Sequence, residues 1–109
     1  MIQNRILLVE DDTSLIDGLE YTLVKNSFDV RVAQTVREAL ALFDQDTFDL
    51  LLLDLTLPDG TGFDICRSVR RHSEVPIIFL TASDEEVNVV MGLDIGGDDY
   101  ITKPFNLGE

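Results

Sequence analysis

The sequence predicts an α/β domain: a doubly wound, five-stranded parallel sheet of order 2-1-3-4-5 with helices on both faces. Three observations carry this. Short apolar runs alternate along the chain with segments of helical periodicity. Leu50–Leu53 is an unbroken run of leucines, which suits a strand buried on both faces, and it ends shortly before a Pro58-Asp59-Gly60 turn. The joining segments are short, which implies right-handed crossovers.

At 109 residues the chain is read as one domain, residues 1–109, with room for a single core. An apolar fraction of 45% argues against disorder. The net charge of −13, from 21 acidic and 8 basic residues, argues against nucleic-acid binding by this domain, because a phosphate backbone would be repelled. Cys66 is the single cysteine and cannot form an internal disulfide; with no signal-peptide pattern at the N-terminus, a cytoplasmic setting is expected. No apolar run approaches the ~20 residues of a membrane span.

In chain order, Arg5–Val9 is the first strand and ends in Glu10-Asp11-Asp12. Leu15, Ile16, Leu19 and Leu23 mark one face of a helix over Thr13–Asn26, with Asp12, Thr13 and Ser14 all suited to its N-cap. Phe28–Ala33 is the second strand. Thr35-Val36-Arg37-Glu38 is a capping box opening a helix to about Asp46. Leu50–Asp54 is the third strand, and Gly62–His72 the third helix, with Phe63, Ile65, Cys66 and Val69 apolar. Val75–Thr81 is the fourth strand, with Pro76 near its start. Ser83-Asp84-Glu85-Glu86 is a further capping box, opening a helix to about Ile95. Tyr100–Thr102 is the fifth strand, and Asn106–Glu109 resembles the first turn of a fifth helix that is missing or truncated here. Asp59 and Gly60 read as turn formers, and Asp98 and Asp99 as loop or interface charges.

The strand order sets the ends of strands one and three beside each other at the topological switch point, where open α/β sheets carry their chemistry. Glu10-Asp11-Asp12 ends the first strand and Asp54 the third, so residues far apart in sequence should meet. Converging carboxylates repel unless a divalent cation neutralises them. Oxygen-only donors with positions left for water and phosphate favour Mg²⁺. Thr81 ends strand four, and Lys103 follows strand five ahead of Pro104. A hydroxyl donor and a cation beside a carboxylate and a metal are the parts of an aspartyl-phosphate site.

The runs L-L-V-E-D-D, L-L-D-L-T-L-P-D-G-T-G, F-L-T-A and G-G-D-D-Y-I-T-K-P-F, in that order and at strand ends, resemble a receiver domain of a two-component response regulator from about Arg5 to Glu109. The resemblance implies a flavodoxin-like (CheY-like) fold and a phosphoacceptor switch served by a sensor histidine kinase. It implies that Asp54 accepts the phosphoryl group. It makes Asp11 a direct Mg²⁺ ligand, Glu10 a ligand through water, and the Thr56 backbone carbonyl the remaining protein ligand. Thr81 and Lys103 become the phosphoryl-sensing pair, and Tyr100 the aromatic whose rotamer reports the state. Asp12 falls at a position the family varies. A cis bond between Lys103 and Pro104 is also expected. The D-D-Y-I-T-K-P-F ending resembles the winged-helix transcription-factor branch, the OmpR/PhoB-like regulators, which implies a homodimer through the helix 4/strand 5 face and a DNA-binding output domain outside this chain.

The sequence departs from that branch where Asn88 and Val89 replace an acidic–basic pair early in the fourth helix. With Val87, Val90, Met91 and Leu93 nearby, a greasier contact is expected there. The competing readings are a stand-alone receiver acting through protein partners, an aspartate-nucleophile phosphatase and a nucleotide binder. The phosphatases that this site resembles carry an acid/base Asp two residues after the nucleophile, where this chain has Thr56, so only slow autophosphorylation and self-dephosphorylation are expected. A nucleotide binder would need a Gly/Ser/Thr phosphate loop where Glu10-Asp11-Asp12 stands.

Overall fold

The computed structural model describes residues 4–81 and 96–102, with Tyr100 and Thr102 entering through their backbone alone. The fourth helix opened by Ser83, the Lys103–Pro104 bond, Lys103 itself and the start of a fifth helix lie outside the described residues. The elements run β1 (Arg5–Val9), α1 (Thr13–Lys25), β2 (Asp29–Ala33), α2 (Val36–Gln45), β3 (Leu50–Asp54), β4 (Thr56–Leu57), β5 (Gly60–Thr61), α3 (Gly62–Arg70), β6 (Ile77–Thr81) and β7 (Asp99–Thr102). Five strands form one parallel sheet of order β2-β1-β3-β6-β7, the doubly wound order expected from the pattern. No helix among the described residues is long and apolar enough to cross a membrane.

Alternation along each strand sorts the core into two layers. Leu7, Val9, Leu51, Leu53, Ile77 and Phe79 join Ala39 of α2 and Phe63, Cys66 and Val69 of α3. Ile6, Leu8, Leu52 and Leu80 point to the other side, with Leu19 of α1. Each fully buried leucine contributes roughly 1.5–3 kcal/mol, and β3 lies in the middle of the sheet with both faces packed. Phe63 meets Phe79 edge to face at 5.3 Å between ring centroids, which holds α3 to β6.

The helix ends follow local chemistry. Asp12 is the N-cap of α1, its Oδ1 accepting from Ser14 N–H at 2.9 Å and Leu15 N–H at 3.3 Å. At the other end Ser27 takes φ 72°, while Ser27 N–H bonds Val24 O and Phe28 N–H bonds Leu23 O. That turn is a Schellman motif, and it delays β2 to Asp29. Thr35 caps α2 as its spacing predicts, with Glu38 N–H donating to Thr35 Oγ1 at 3.0 Å, but the Glu38 carboxylate reaches Gln34 N–H rather than Thr35 N–H. The full reciprocal box is on α3, between Thr61 and Asp64. Asp64 is held below its ordinary acidity range, first by the Thr61 N–H and then by Arg67. Helix α3 stops at Arg70, short of His72, because Arg71 and His72 N–H groups turn to carbonyls three residues back.

Two arginines tie the amino edge of the sheet. Arg5 bridges Asp29 of β2 at 3.0 Å and Asp46 after α2 at 3.3 Å, and its N–H bonds Asp49. Arg70 gathers two loops: Nε donates to Gly96 O at 2.9 Å, Nη1 to Val75 O at 2.7 Å and Ser73 O at 3.3 Å, and Nη2 to Asp98 Oδ2 at 3.2 Å. Asp98 Oδ2 also accepts from Ile77 N–H at 2.8 Å. Asp98 is thus a loop charge that also ties β6 to the entry to β7. Gly96 has φ +117°, and a Cβ there would stand 3.0 Å from the Arg70 side chain, so this turn needs glycine. The use of Val75 O by Arg70, together with the missing N–H of Pro76, starts β6 at Ile77 rather than Val75. Arg70→Ala is expected to cost roughly 2–3 kcal/mol, because it strands Asp98 and several carbonyls at once; urea unfolding of the two proteins checks it.

Candidate functional site

Register brings the acidic residues together. Val9 is level with Leu53 on adjacent parallel strands, so Glu10 and Asp54 are delivered side by side to the carboxyl edge of the sheet. Each of Glu10, Asp11 and Asp54 offers a carboxylate oxygen, and these oxygens lie within 4.8 Å of one another. Glu10 is 1% and Asp54 6% exposed, while Asp11 faces solvent. Glu10 Oε2 accepts from the N–H groups of Asp11 and Asp12, both at 3.1 Å, so a short backbone nest orients the buried carboxylate and offsets part of its desolvation. The neighbouring Asp12 carboxylate is turned to the N-terminus of α1 and is not a member of the cluster.

Thr81 ends β6 and is 1% exposed. Leu80 is the register partner of Asp54, so Thr81 stands one residue beyond Asp54 on the adjacent strand. Thr56 begins β4, two residues past Asp54, with its side chain exposed. Tyr100 and Thr102 lie on β7 level with Phe79 and Thr81. Five of the expected site residues therefore share one edge of the sheet: Glu10, Asp11, Asp54, Thr81 and, by its place in the chain, Thr56.

The segment after Asp54 departs from a simple turn. It forms a two-strand antiparallel hairpin, β4 against β5, with Thr56 opposite Thr61 and Leu57 opposite Gly60. Asp59, at its tip, receives the first two amides of α2: Val36 N–H on Oδ1 at 2.7 Å and Arg37 N–H on Oδ2 at 3.0 Å. Those bonds, the Val36 N–H above all, hold its carboxyl below the ordinary aspartate range. Gly62 has a role beyond opening α3. A Cβ there would overlap the Asp54 carbonyl oxygen and stand 3.2 Å from its carbon, so α3 begins in contact with the peptide of Asp54 itself. The T-G pair at the helix start carries a hint of that; no local signal announces the Asp59 contact, whose partners are 22 and 23 positions away. Cys66 is buried in the α2/α3 layer, and burial pushes its thiol up, which suits packing rather than redox work.

The model of the response regulator receiver domain family matches residues 6–109. The chain belongs to this family. The receiver domain is 45% identical over 104 residues to the sensory transduction protein RegX3 of Mycobacterium tuberculosis, covering 95% of this chain and 46% of that protein. It thus spans about half the length of that relative. Among solved structures, it resembles the non-phosphorylated HemR receiver domain from Leptospira biflexa, with a TM-score of 0.88, 40% identity and coverage of 97% of this chain and 86% of that one. The chemotaxis response regulator CheY4 of Vibrio cholerae gives a TM-score of 0.92 at 30% identity, over 98% and 92% of the two chains. The fold is CheY-like, and the domain is a signalling receiver of a two-component response regulator.

The donor set fits a hard divalent cation. It is all oxygen, it concentrates three formal negative charges, and two of its members are buried where water screens them poorly. Asp11→Asn removes one repelling charge and is expected to stabilise the metal-free receiver domain by up to about 1 kcal/mol, the exposed position limiting the gain. Excess Mg²⁺ should stabilise the parent protein more than the variant. Thermal unfolding with chelator and with MgCl₂ checks both orders.

Proposed function

We propose that this receiver domain is a phosphorylatable switch in which Asp54 takes a phosphoryl group from a phosphohistidine of a sensor kinase. The observation that carries the reading is the convergence of Glu10, Asp11 and Asp54 at the ends of adjacent buried strands in a chain of this family. Glu10, Asp11, Asp54 and the Thr56 backbone carbonyl would hold Mg²⁺, Glu10 through water. When bound, the ion offsets the carboxylate charge and polarises the phosphoryl oxygens. An oxygen of Asp54 forms the new bond to phosphorus as the bond from phosphorus to the kinase histidine nitrogen breaks, leaving an acyl phosphate. The Thr81 hydroxyl donates to a phosphoryl oxygen, and the Lys103 ammonium balances its charge. Among described residues, the closed leucine core beneath Asp54 keeps bulk water from the far side of the carboxylate.

The domain is read as a signalling element rather than an enzyme, because Thr56 occupies the position of the acid/base Asp in the aspartate-nucleophile phosphatases. Its setting is the cytoplasm, its partner there a sensor histidine kinase. Output runs through the helix opened by Ser83 and through β7, with Tyr100 changing rotamer as Thr81 moves inward. That face would form a homodimer by apolar burial around Val89 and Met91, and would control an output domain beyond residues 1–109, DNA-binding in the winged-helix branch.

Treatment with acetyl phosphate and Mg²⁺ should label Asp54, as mapped by mass spectrometry of peptides. Full labelling of Asp54→Asn would overturn the assignment. Beryllofluoride should strengthen self-association of a chain that includes the fifth helix, with little change between low and high salt, since screening acts on charges and not on buried area. Sedimentation at both salt concentrations checks this; a steep loss with salt would refute the apolar face.

A further inference from the structure

We propose that Asp59 is a positioning residue for the metal site: it tethers the segment after Asp54 to α2 and so sets the place of the Thr56 carbonyl. The inference rests on the Mg²⁺ reading given above.

A surface aspartate in a tight turn ordinarily bonds within its own loop. Asp59 instead spends both oxygens on α2, accepting from Val36 N–H at 2.7 Å and Arg37 N–H at 3.0 Å. Helix α2 already has an N-cap in Thr35, which accepts from Glu38 N–H at 3.0 Å. The two caps divide the work: Thr35 serves the third amide of the helix, and Asp59 the first and second. A charged acceptor at a helix N-terminus also gains from the helix dipole.

The hairpin is fixed at its other end by α3. Gly62 N–H bonds Leu55 O at 3.1 Å, and Thr61 and Asp64 close their reciprocal box. Leu57 is buried in the layer that α2 and α3 share. Gly60 is wedged between the two helices, since a Cβ there would stand 2.8 Å from Asp64 Oδ2 and 3.1 Å from Val36 Cγ2. Residues 55–61 are therefore stretched between α2 and α3, and Asp59 is the polar anchor on the α2 side.

The fourth expected metal ligand lies in this segment and is a main-chain oxygen. No side-chain change removes it; only its placement can be altered. Mg²⁺ demands near-octahedral ligands at about 2.0–2.1 Å, so a slack loop weakens binding. Groups that orient ligands commonly carry about 10-fold or more of metal affinity.

The test is Mg²⁺ titration by calorimetry on the parent domain, Asp59→Ala, Asp59→Asn, Thr35→Ala and Asp11→Asn, with urea unfolding alongside. Asp59→Ala should bind Mg²⁺ about 10-fold more weakly. Asp59→Asn, whose amide oxygen keeps one acceptor, should fall between it and the parent. Thr35→Ala removes a cap from the same helix but leaves the tether, so it should lower stability with Mg²⁺ affinity kept. Equal losses of affinity in Asp59→Ala and Thr35→Ala would overturn the proposal, because helix stability would then account for both. Unchanged affinity in Asp59→Ala beside a clear loss in Asp11→Asn would also overturn it, with the metal site intact. Unchanged affinity in Asp11→Asn would overturn the metal reading itself, and this proposal with it.

Discussion

The packing of β1 against β3 holds three like charges together against their mutual repulsion. Glu10, Asp11 and Asp54 would separate in a flexible chain. Here β1 and β3 are adjacent parallel strands packed by leucines on both faces, and their register leaves the carboxylates no other place. Several buried leucines at roughly 1.5–3 kcal/mol each together outweigh a repulsion of about 1–4 kcal/mol per pair. The carboxyl edge is consequently a place where added positive charge is strongly favoured. A receiver domain needs that property, since ligands that alter charge at one point can then bias the balance of states elsewhere.

Charge is sorted between the two ends of the sheet. The chain carries 8 basic residues against 21 acidic ones, so basic side chains are scarce. Arg5 and Arg70 are both at the amino edge, each gathering several acceptors from separate loops. These ties fix the strand starts and keep the arginines away from the acidic edge. Arg70 and Asp98 also link the end of α3 to the entry of β7, so the strand that carries Tyr100 is anchored at one end while its other end reaches the site.

The loops around Asp54 are held by backbone chemistry as much as by side chains. Glu10 is oriented by two amides of its own loop, and the Asp54 peptide is pressed by the start of α3 at Gly62. Such constraints would pre-place the carboxylates for a cation and so lower the ordering cost of binding one.

The strand–helix alternation, the sheet order and the meeting of Glu10, Asp11 and Asp54 are legible in the residue pattern alone. These follow from periodicity and from parallel topology, which leave few choices once the leucine run of β3 is placed in the centre. Thr35 as a cap was legible for the same reason, because its partner is three residues away. The roles of Asp59, Asp98 and Gly62 emerge from contacts made on folding. Asp59 and Asp98 look like turn and loop charges in sequence, and each becomes a tie because folding brings distant N–H groups or an arginine to it. Gly62 looks like the first residue of a helix, and becomes obligatory because the Asp54 carbonyl occupies the space of its missing Cβ. Local patterns record which way a side chain faces; contacts between residues of different elements depend on how those elements pack, which no short window of sequence contains.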